Sequence, residues 1–205
     1  MLTVRNLCLE RYFQAVFDPV SFELNRGELL IVTGPNGAGK TTLIRLLAGL
    51  LNPTDGEVEN TLDHISYLGH EAGIKAELSV RENLAFSRSL SDEKGDVDAA
   101  MSALGIKAIA SQAGRTLSAG QRKRTALARL VLSRAPLWLL DEPYTNMDAD
   151  GIAIVDEMLA EHLATGGACV MSTHGGHRPL HNVHPATQFR ELALSPGASL
   201  KRAFV

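Results

Sequence analysis

The sequence predicts an α/β protein built on a parallel sheet, with an antiparallel β region at its N-terminus and a helical lobe inserted in its middle. Three observations predict it. Apolar runs at residues 28–33, 137–140 and 168–172 have the near-continuous hydrophobicity of strands covered on both faces. Stretches of helical period alternate with these runs, as they do in βα units. A glycine-rich loop, Gly34 to Gly39, joins the first run to a helical stretch.

Along the chain, residues 2–10 alternate apolar and polar side chains like a half-buried strand, and residues 20–24 (VSFEL) repeat the pattern. Asn25-Arg26-Gly27 is a turn into the strand at 28–33. The helix after the glycine loop runs to about Leu50, and Pro53-Thr54-Asp55-Gly56 is a second turn, before short strands at 57–59 and 64–68. Ser79 and Glu82 fit the S-x-x-E capping box, so a helix begins there and runs to about Leu90. Two more helices fit 97–104 and 118–133, and the three make up a lobe spanning about residues 75–135. The strand at 137–140 (LWLL) ends in Asp141 and Glu142. A helical period covers 148–163, Thr165-Gly166-Gly167 ends it, and 168–172 is the last clear strand. From Gly175 onward the pattern is weak. No repeat, low-complexity tract or long linker divides the chain, so residues 1–205 read as one domain.

Composition narrows the function. Of 205 residues, 45% are hydrophobic, enough for a real core. The net charge is −3, and no basic stripe speaks for nucleic acid. Cys8 and Cys169 lie far apart and form no metal-ligand spacing, which suits small buried side chains in a reducing compartment. The N-terminus has no basic segment followed by an apolar run, so no signal peptide is expected. No apolar run approaches the roughly 20 residues of a membrane span. Any membrane role is expected to come through a partner.

The chemistry begins at Gly34-Pro35-Asn36-Gly37-Ala38-Gly39-Lys40-Thr41, which fits G-x-x-x-x-G-K-[ST]. Small residues let backbone N–H groups turn inward onto phosphate oxygens, and the following helix adds the positive end of its dipole. Lys40 brings a compact charge to the β- and γ-phosphates of ATP, the Thr41 hydroxyl is a ligand for Mg²⁺, and Thr42 continues the loop into the helix. The strand ending in Asp141 and Glu142 is expected beside the P-loop strand. There Asp141 would meet the metal and Glu142 would orient or deprotonate the attacking water.

Leu117-Ser118-Ala119-Gly120-Gln121 resembles the LSGGQ signature of ABC ATPases, with Ala119 in place of the first Gly. The chain thus resembles an ABC-type P-loop NTPase from about residue 2 to residue 175. In that family Ser118, Ala119, Gly120 and Gln121 would bind the γ-phosphate of ATP held by the opposite subunit, so the working unit would be a homodimer. The resemblance further implies that His174 is the switch histidine, that Asn146-Met147-Asp148 forms the D-loop, and that Tyr12, or else Phe13, stacks on adenine. The family usually carries Gln after the strand at 65–68. This chain has Gly69-His70-Glu71, so His70, or alternatively Glu71, takes that place.

Finer runs, among them Tyr67-Leu68-Gly69-His70, Gly73-Ile74-Lys75, Ala135-Pro136-Leu137-Trp138 and Asp141-Glu142-Pro143-Tyr144-Thr145, resemble the ATPases of bacterial cytochrome c maturation. That resemblance implies a peripheral subunit on the cytoplasmic face of the inner membrane. Its partners would be integral membrane subunits of a haem-handling ABC complex, and its ATP hydrolysis would drive haem export or release of a haem-loaded chaperone. The alternatives are a soluble ABC ATPase for cofactor assembly, of the iron–sulfur scaffold type, and an importer or exporter ATPase with another cargo. His174, His177, His181 and His184 fall within a short tail stretch, but Gly175, Gly176, Pro179 and Pro185 break any common helical face.

Overall fold

The computed structural model describes residues 1–62, 64–90, 95–173 and 188–197. The chain runs through β1 (Leu2–Cys8), β2 (Glu10–Arg11), β3 (Gln14–Ala15), β4 (Val20–Leu24), β5 (Glu28–Thr33), α1 (Lys40–Leu47), β6 (Asp55–Asn60) and β7 (Ile65–Leu68). It continues through α2 (Val80–Ser89), α3 (Val97–Ala103), α4 (Ala119–Ser133), β8 (Leu137–Asp141), α5 (Ala149–Ala164), β9 (Ala168–Ser172) and β10 (Gln188–Ala193). Two single-turn 3₁₀ helices, Lys107–Ile109 and Gly114–Thr116, lead from α3 to α4.

The centre is a five-stranded parallel sheet in the order β10-β5-β9-β8-β7. Period-two alternation divides its residues between two cores. Leu29, Ile31, Trp138, Leu140, Cys169 and Met171 face one core, which they share with α4, α5 and the helical lobe. Leu30, Val32, Leu137, Leu139, Ala168 and Val170 face the other, shared with α1 and the antiparallel sheet β4-β1-β6. Both faces are covered, which is why these strands read as unbroken apolar runs.

The topology corrects one expectation. β8 does not lie beside the P-loop strand β5, because β9 runs between them. Its Asp141 nevertheless meets the loop, since the helix opened by the loop, α1, packs across the sheet onto β8 and β9.

Local boundaries shift for physical reasons. β1 stops at Cys8, after an irregularity at Arg5 to Cys8 in which Asn6 takes φ +46°. The chain re-enters extended structure as the β2–β3 hairpin, whose two turn residues, Tyr12 and Phe13, both have positive φ. Helix α1 ends at Leu47, short of Leu50, with Gly49 at φ +69° just past it. β6 begins at Asp55, inside the expected turn. β10 had no counterpart in the sequence pattern.

In the lobe, α4 packs against α2 and α3. Ser79 and Ser118 cap α2 and α4 through full capping boxes with Glu82 and Gln121. Asn83, only 4% exposed, is the lobe's polar fastener. Its amide accepts from the Lys75 N–H and donates to the carbonyls of Lys75, Leu78 and Ser79 at 2.8–3.1 Å. One side chain therefore fixes the connection from sheet to lobe. Asn83→Ala leaves these buried groups without partners and is expected to cost about 2 kcal/mol, read as a lowered urea midpoint in equilibrium unfolding.

Candidate nucleotide and metal site

The site forms at the carboxyl ends of β5, β8 and β9, where ligands gather in open α/β sheets. The loop from Gly34 to Gly39 leaves β5 and hands Lys40 to the first turn of α1. Gly34, Gly37 and Gly39 all have positive φ, between +80° and +142°. Gly39 also lies so close to Phe17 and Val16 that a Cβ would approach to 2.7 and 2.9 Å. The loop is thus seated against the base of the Tyr12–Phe13 hairpin. Leu194, just past β10, seats the other side: its carbonyl lies 2.6 Å from a Cβ built on Gly34. Lys40 Nζ donates to the carbonyls of Gly34 and Pro35, at 2.8 and 3.1 Å, which orients the ammonium over the loop.

Registry supplies the metal side. Asp141 and Ser172 are direct neighbours on β8 and β9. Asp141 Oδ1 accepts from Ser172 Oγ at 2.6 Å and from Thr41 Oγ1 at 3.1 Å. Its other oxygen, Oδ2, is buried without a partner. A buried, unpaired carboxylate oxygen next to a threonine hydroxyl fits a hard cation such as Mg²⁺, which takes one or two protein oxygens and completes its shell with phosphates and water. Among the described residues no group of three or more His, Cys, Asp or Glu forms a separate metal cage.

Glu142 follows in a left-handed conformation, φ +49°, that turns its carboxylate away from the strand. Its N–H donates to Ser172 Oγ at 3.0 Å, and its carboxylate accepts from Thr145 Oγ1 at 3.2 Å. His70 Nδ1 lies 4.0 Å from Glu142 Oε2, so the imidazole after β7 and the carboxylate after β8 flank the same space. Glu71 is exposed beside it.

Other expected residues are placed as follows. Ser118 caps α4 with Ala119 as its first helical residue, so alanine at that position leaves the capping box intact. Ser118, Ala119, Gly120 and Gln121 line an open concavity of about 480 Å³ together with Arg124, Asn146 and Asp148. Arg124 donates to Asp148 at 2.6 Å, tying the start of α4 to the segment expected to be the D-loop. Hydrogen bonds from the Gly151 N–H and from Arg124 hold the Asp148 carboxyl below its usual range. Tyr12 and Phe13 are 96% and 80% exposed at the hairpin tip. Two aromatic rings held in solvent, on backbone that bulky residues rarely adopt, form a prominent stacking surface. His174 lies outside the described residues, as do His177, His181 and His184.

A cavity of about 470 Å³ opens at the opposite end of the sheet, beside Trp138 and His162, whose rings stack at 3.7 Å. Burial lowers the His162 pKa to about 4, so this ring is neutral near pH 7. The cavity lies away from the strand ends that carry Lys40, Asp141 and Glu142, and it is no part of their site.

Two residues of the site were not read from the sequence. Ser172 was legible only as the end of an apolar strand, and its role depends on the β8–β9 register. Lys123 sat in the basic run after the signature, yet its side chain is buried and its ammonium reaches the Asp141 carbonyl at 3.4 Å.

Comparison with known proteins places the chain in a family. The family model for ABC transporters matches residues 17–145. A putative ABC transporter ATP-binding protein from Pyrococcus furiosus superposes with a TM-score of 0.78 at 25% identity, over 93% of this chain and 96% of that one. A dimeric ATP-binding cassette in a post-hydrolysis state, bound to ADP and Pi, shares the fold with a TM-score of 0.76 at 21% identity, over 85% and 88% of the two chains. The cytochrome c biogenesis ATP-binding export protein CcmA of Xanthomonas axonopodis pv. citri is 45% identical over 188 residues, covering 86% of this chain and 88% of that protein. CcmA of Paracoccus denitrificans is 43% identical over 174 residues, covering 85% and 82%. The chain belongs to the ABC transporter family of ATP-binding proteins and, within it, to the CcmA group.

Ser172→Ala removes both the donor that orients Asp141 and the acceptor that holds Glu142. It is expected to weaken Mg²⁺-dependent ADP binding about tenfold, the equivalent of one charge-assisted hydrogen bond. Calorimetry with and without EDTA checks this, since affinity in EDTA is expected to stay within about twofold.

Proposed function

We propose that this chain is the ATP-hydrolysing subunit of a bacterial membrane ABC complex that serves cytochrome c biogenesis. The observation that carries the reading is the meeting of Thr41, Asp141, Ser172 and Glu142 beside a lysine-bearing glycine loop.

The chemistry follows from the residues. Loop N–H groups and the α1 N-terminus would cradle the phosphates, and Lys40 would exchange its two loop carbonyls for β- and γ-phosphate oxygens. Thr41 and Asp141 would hold magnesium, which supplies charge neutralisation at the phosphate oxygens when bound. Glu142 would accept the proton of the attacking water, with His70 bordering that water. Tyr12 would stack on adenine. His174 would sense the γ-phosphate, on the strength of its place after β9.

Two chains would pair head to tail, so that Ser118, Ala119, Gly120 and Gln121 of one close over the ATP of the other. The capped N-terminus of α4 suits an anion there. No helix among the described residues is long and apolar enough to cross a membrane. By analogy with its relatives, named as export proteins, the chain would sit on the cytoplasmic face of the inner membrane, held by integral membrane subunits. A groove between the core and the helical lobe near His70 to Leu84 would take a short cytoplasmic helix of such a subunit; Arg129 holds the carbonyls of Ala72 and Gly73 there, and the Lys75 ammonium lies 4.6 Å over the Phe86 ring. The naming of its relatives for cytochrome c biogenesis favours a haem-linked cargo over iron–sulfur assembly.

Glu142→Gln is expected to keep ATP binding and to slow hydrolysis by more than about tenfold, because the water loses its carboxylate base; steady-state phosphate release shows it, and unchanged turnover removes Glu142 from the role. The same variant, tagged and recovered from detergent-solubilised membranes with ATP, is expected to bring multi-spanning membrane proteins with a haem absorbance band. Membrane proteins without haem would redirect the cargo, and soluble scaffold proteins alone would sink the assignment.

A further inference from the structure

Glu142 opens a tight turn that closes at Thr145. The Thr145 N–H donates to the Glu142 carbonyl at 3.3 Å, and Thr145 Oγ1 donates to Glu142 Oε2 at 3.2 Å. One residue thus holds the acid by main chain and side chain together. The turn itself is fixed from both sides. The Glu142 N–H donates to Ser172 on β9, Pro143 is buried with its φ locked by the ring, and the Tyr144 hydroxyl donates to Asp156 on α5 at 2.6 Å. Thr145 is therefore placed by a frame tied to sheet and helix.

The two oxygens of the Glu142 carboxylate are consequently unequal. Oε2 takes the Thr145 hydroxyl and lies 4.0 Å from His70 Nδ1, whereas among the described residues nothing donates to Oε1. A glutamate side chain turns freely about several bonds, and freezing it at the moment of reaction carries an entropy cost. A donor that fixes one oxygen beforehand removes that cost and leaves the other oxygen to meet a water. A hydroxyl suits the task, because it orients the carboxylate without neutralising its charge.

We infer that Thr145 is a positioning residue for the hydrolytic step: its hydroxyl holds Glu142 Oε2, so that Oε1 is the oxygen offered to the attacking water. The inference rests on the proposed role of Glu142 as the base.

The test is ATP turnover and ATP binding by the full chain. Thr145→Val keeps the shape of the side chain and removes the hydroxyl. It is expected to lower kcat about tenfold while KM and ATP affinity stay within about twofold, the pattern of a contact that matters only in the reaction. Thr145→Ser returns the hydroxyl and is expected to restore kcat to within about threefold of wild type. Thr145→Ala gives the same comparison should the valine variant fold poorly. In a Glu142→Gln background, Thr145→Val is expected to change the residual single-turnover rate by less than about twofold, because the carboxylate it orients is already gone. A kcat within about twofold of wild type for Thr145→Val, a serine variant as slow as the valine one, or a full further tenfold loss in the Glu142→Gln background each overturns the inference. Glu142→Gln alone separates the two levels. Slowed turnover there, beside an unaffected Thr145→Val, sinks the role of Thr145 only, whereas unchanged turnover removes the base and this inference with it.

Discussion

The register of β5, β9 and β8 is the constraint on which the rest of the structure depends. Val32 pairs with Ser172 and Ser172 with Asp141, so three parallel strands end at one level. A slip of one residue would turn each side chain to the opposite face. Ser172 would then lose Asp141, and the apolar residues of both cores would change sides. The packing that buries Leu137, Leu139, Val170 and Met171 therefore also fixes the carboxylate that meets Thr41.

The lobe is joined to this frame by polar contacts as well as apolar ones. Asn83 fastens the segment that enters it, Arg129 holds the carbonyls after His70, and Lys123 reaches from α4 to the end of β8. All three are buried or half-buried, where a hydrogen bond lost is not replaced by water. The helix that carries the signature is consequently tied at one flank to the His70 segment and at the other to Asp141. A shift of the lobe against the sheet changes both together.

Much of this was legible because local patterns and tertiary demands agree. Strands β5, β7, β8 and β9, the Ser79–Glu82 capping box and the glycine loop were readable, since each residue there satisfies a local rule and a global one. The site was legible where chemistry forces residue type and spacing, as at Lys40, Thr41, Asp141 and Glu142. It was not legible where position comes from the sheet. Ser172 is an ordinary strand-end serine until β9 is seen between β5 and β8. Lys123 looks like one more basic surface residue, because α4 is read as amphipathic and the Asp141 carbonyl it reaches lies on another element. β10 escaped because alternating polar and apolar residues at an edge, preceded by glycines and prolines, give a weak strand signal.

β10 separates two boundaries that a motif reading would merge. The sequence elements tied to nucleotide chemistry run from the hairpin to the end of β9, yet the strand bearing the P-loop takes one of its two partners from residues 188–193. Leu194 and the bridge between Phe17 and Pro196 carry that support on to the loop and the hairpin base. A chain cut at the last recognisable motif would keep the residues of the glycine loop. It would also turn β5 from an interior strand into an open edge, with free backbone groups ready to pair with another molecule. The smallest functional vocabulary of this ATPase and its smallest edge-protected fold are thus different lengths of the same chain.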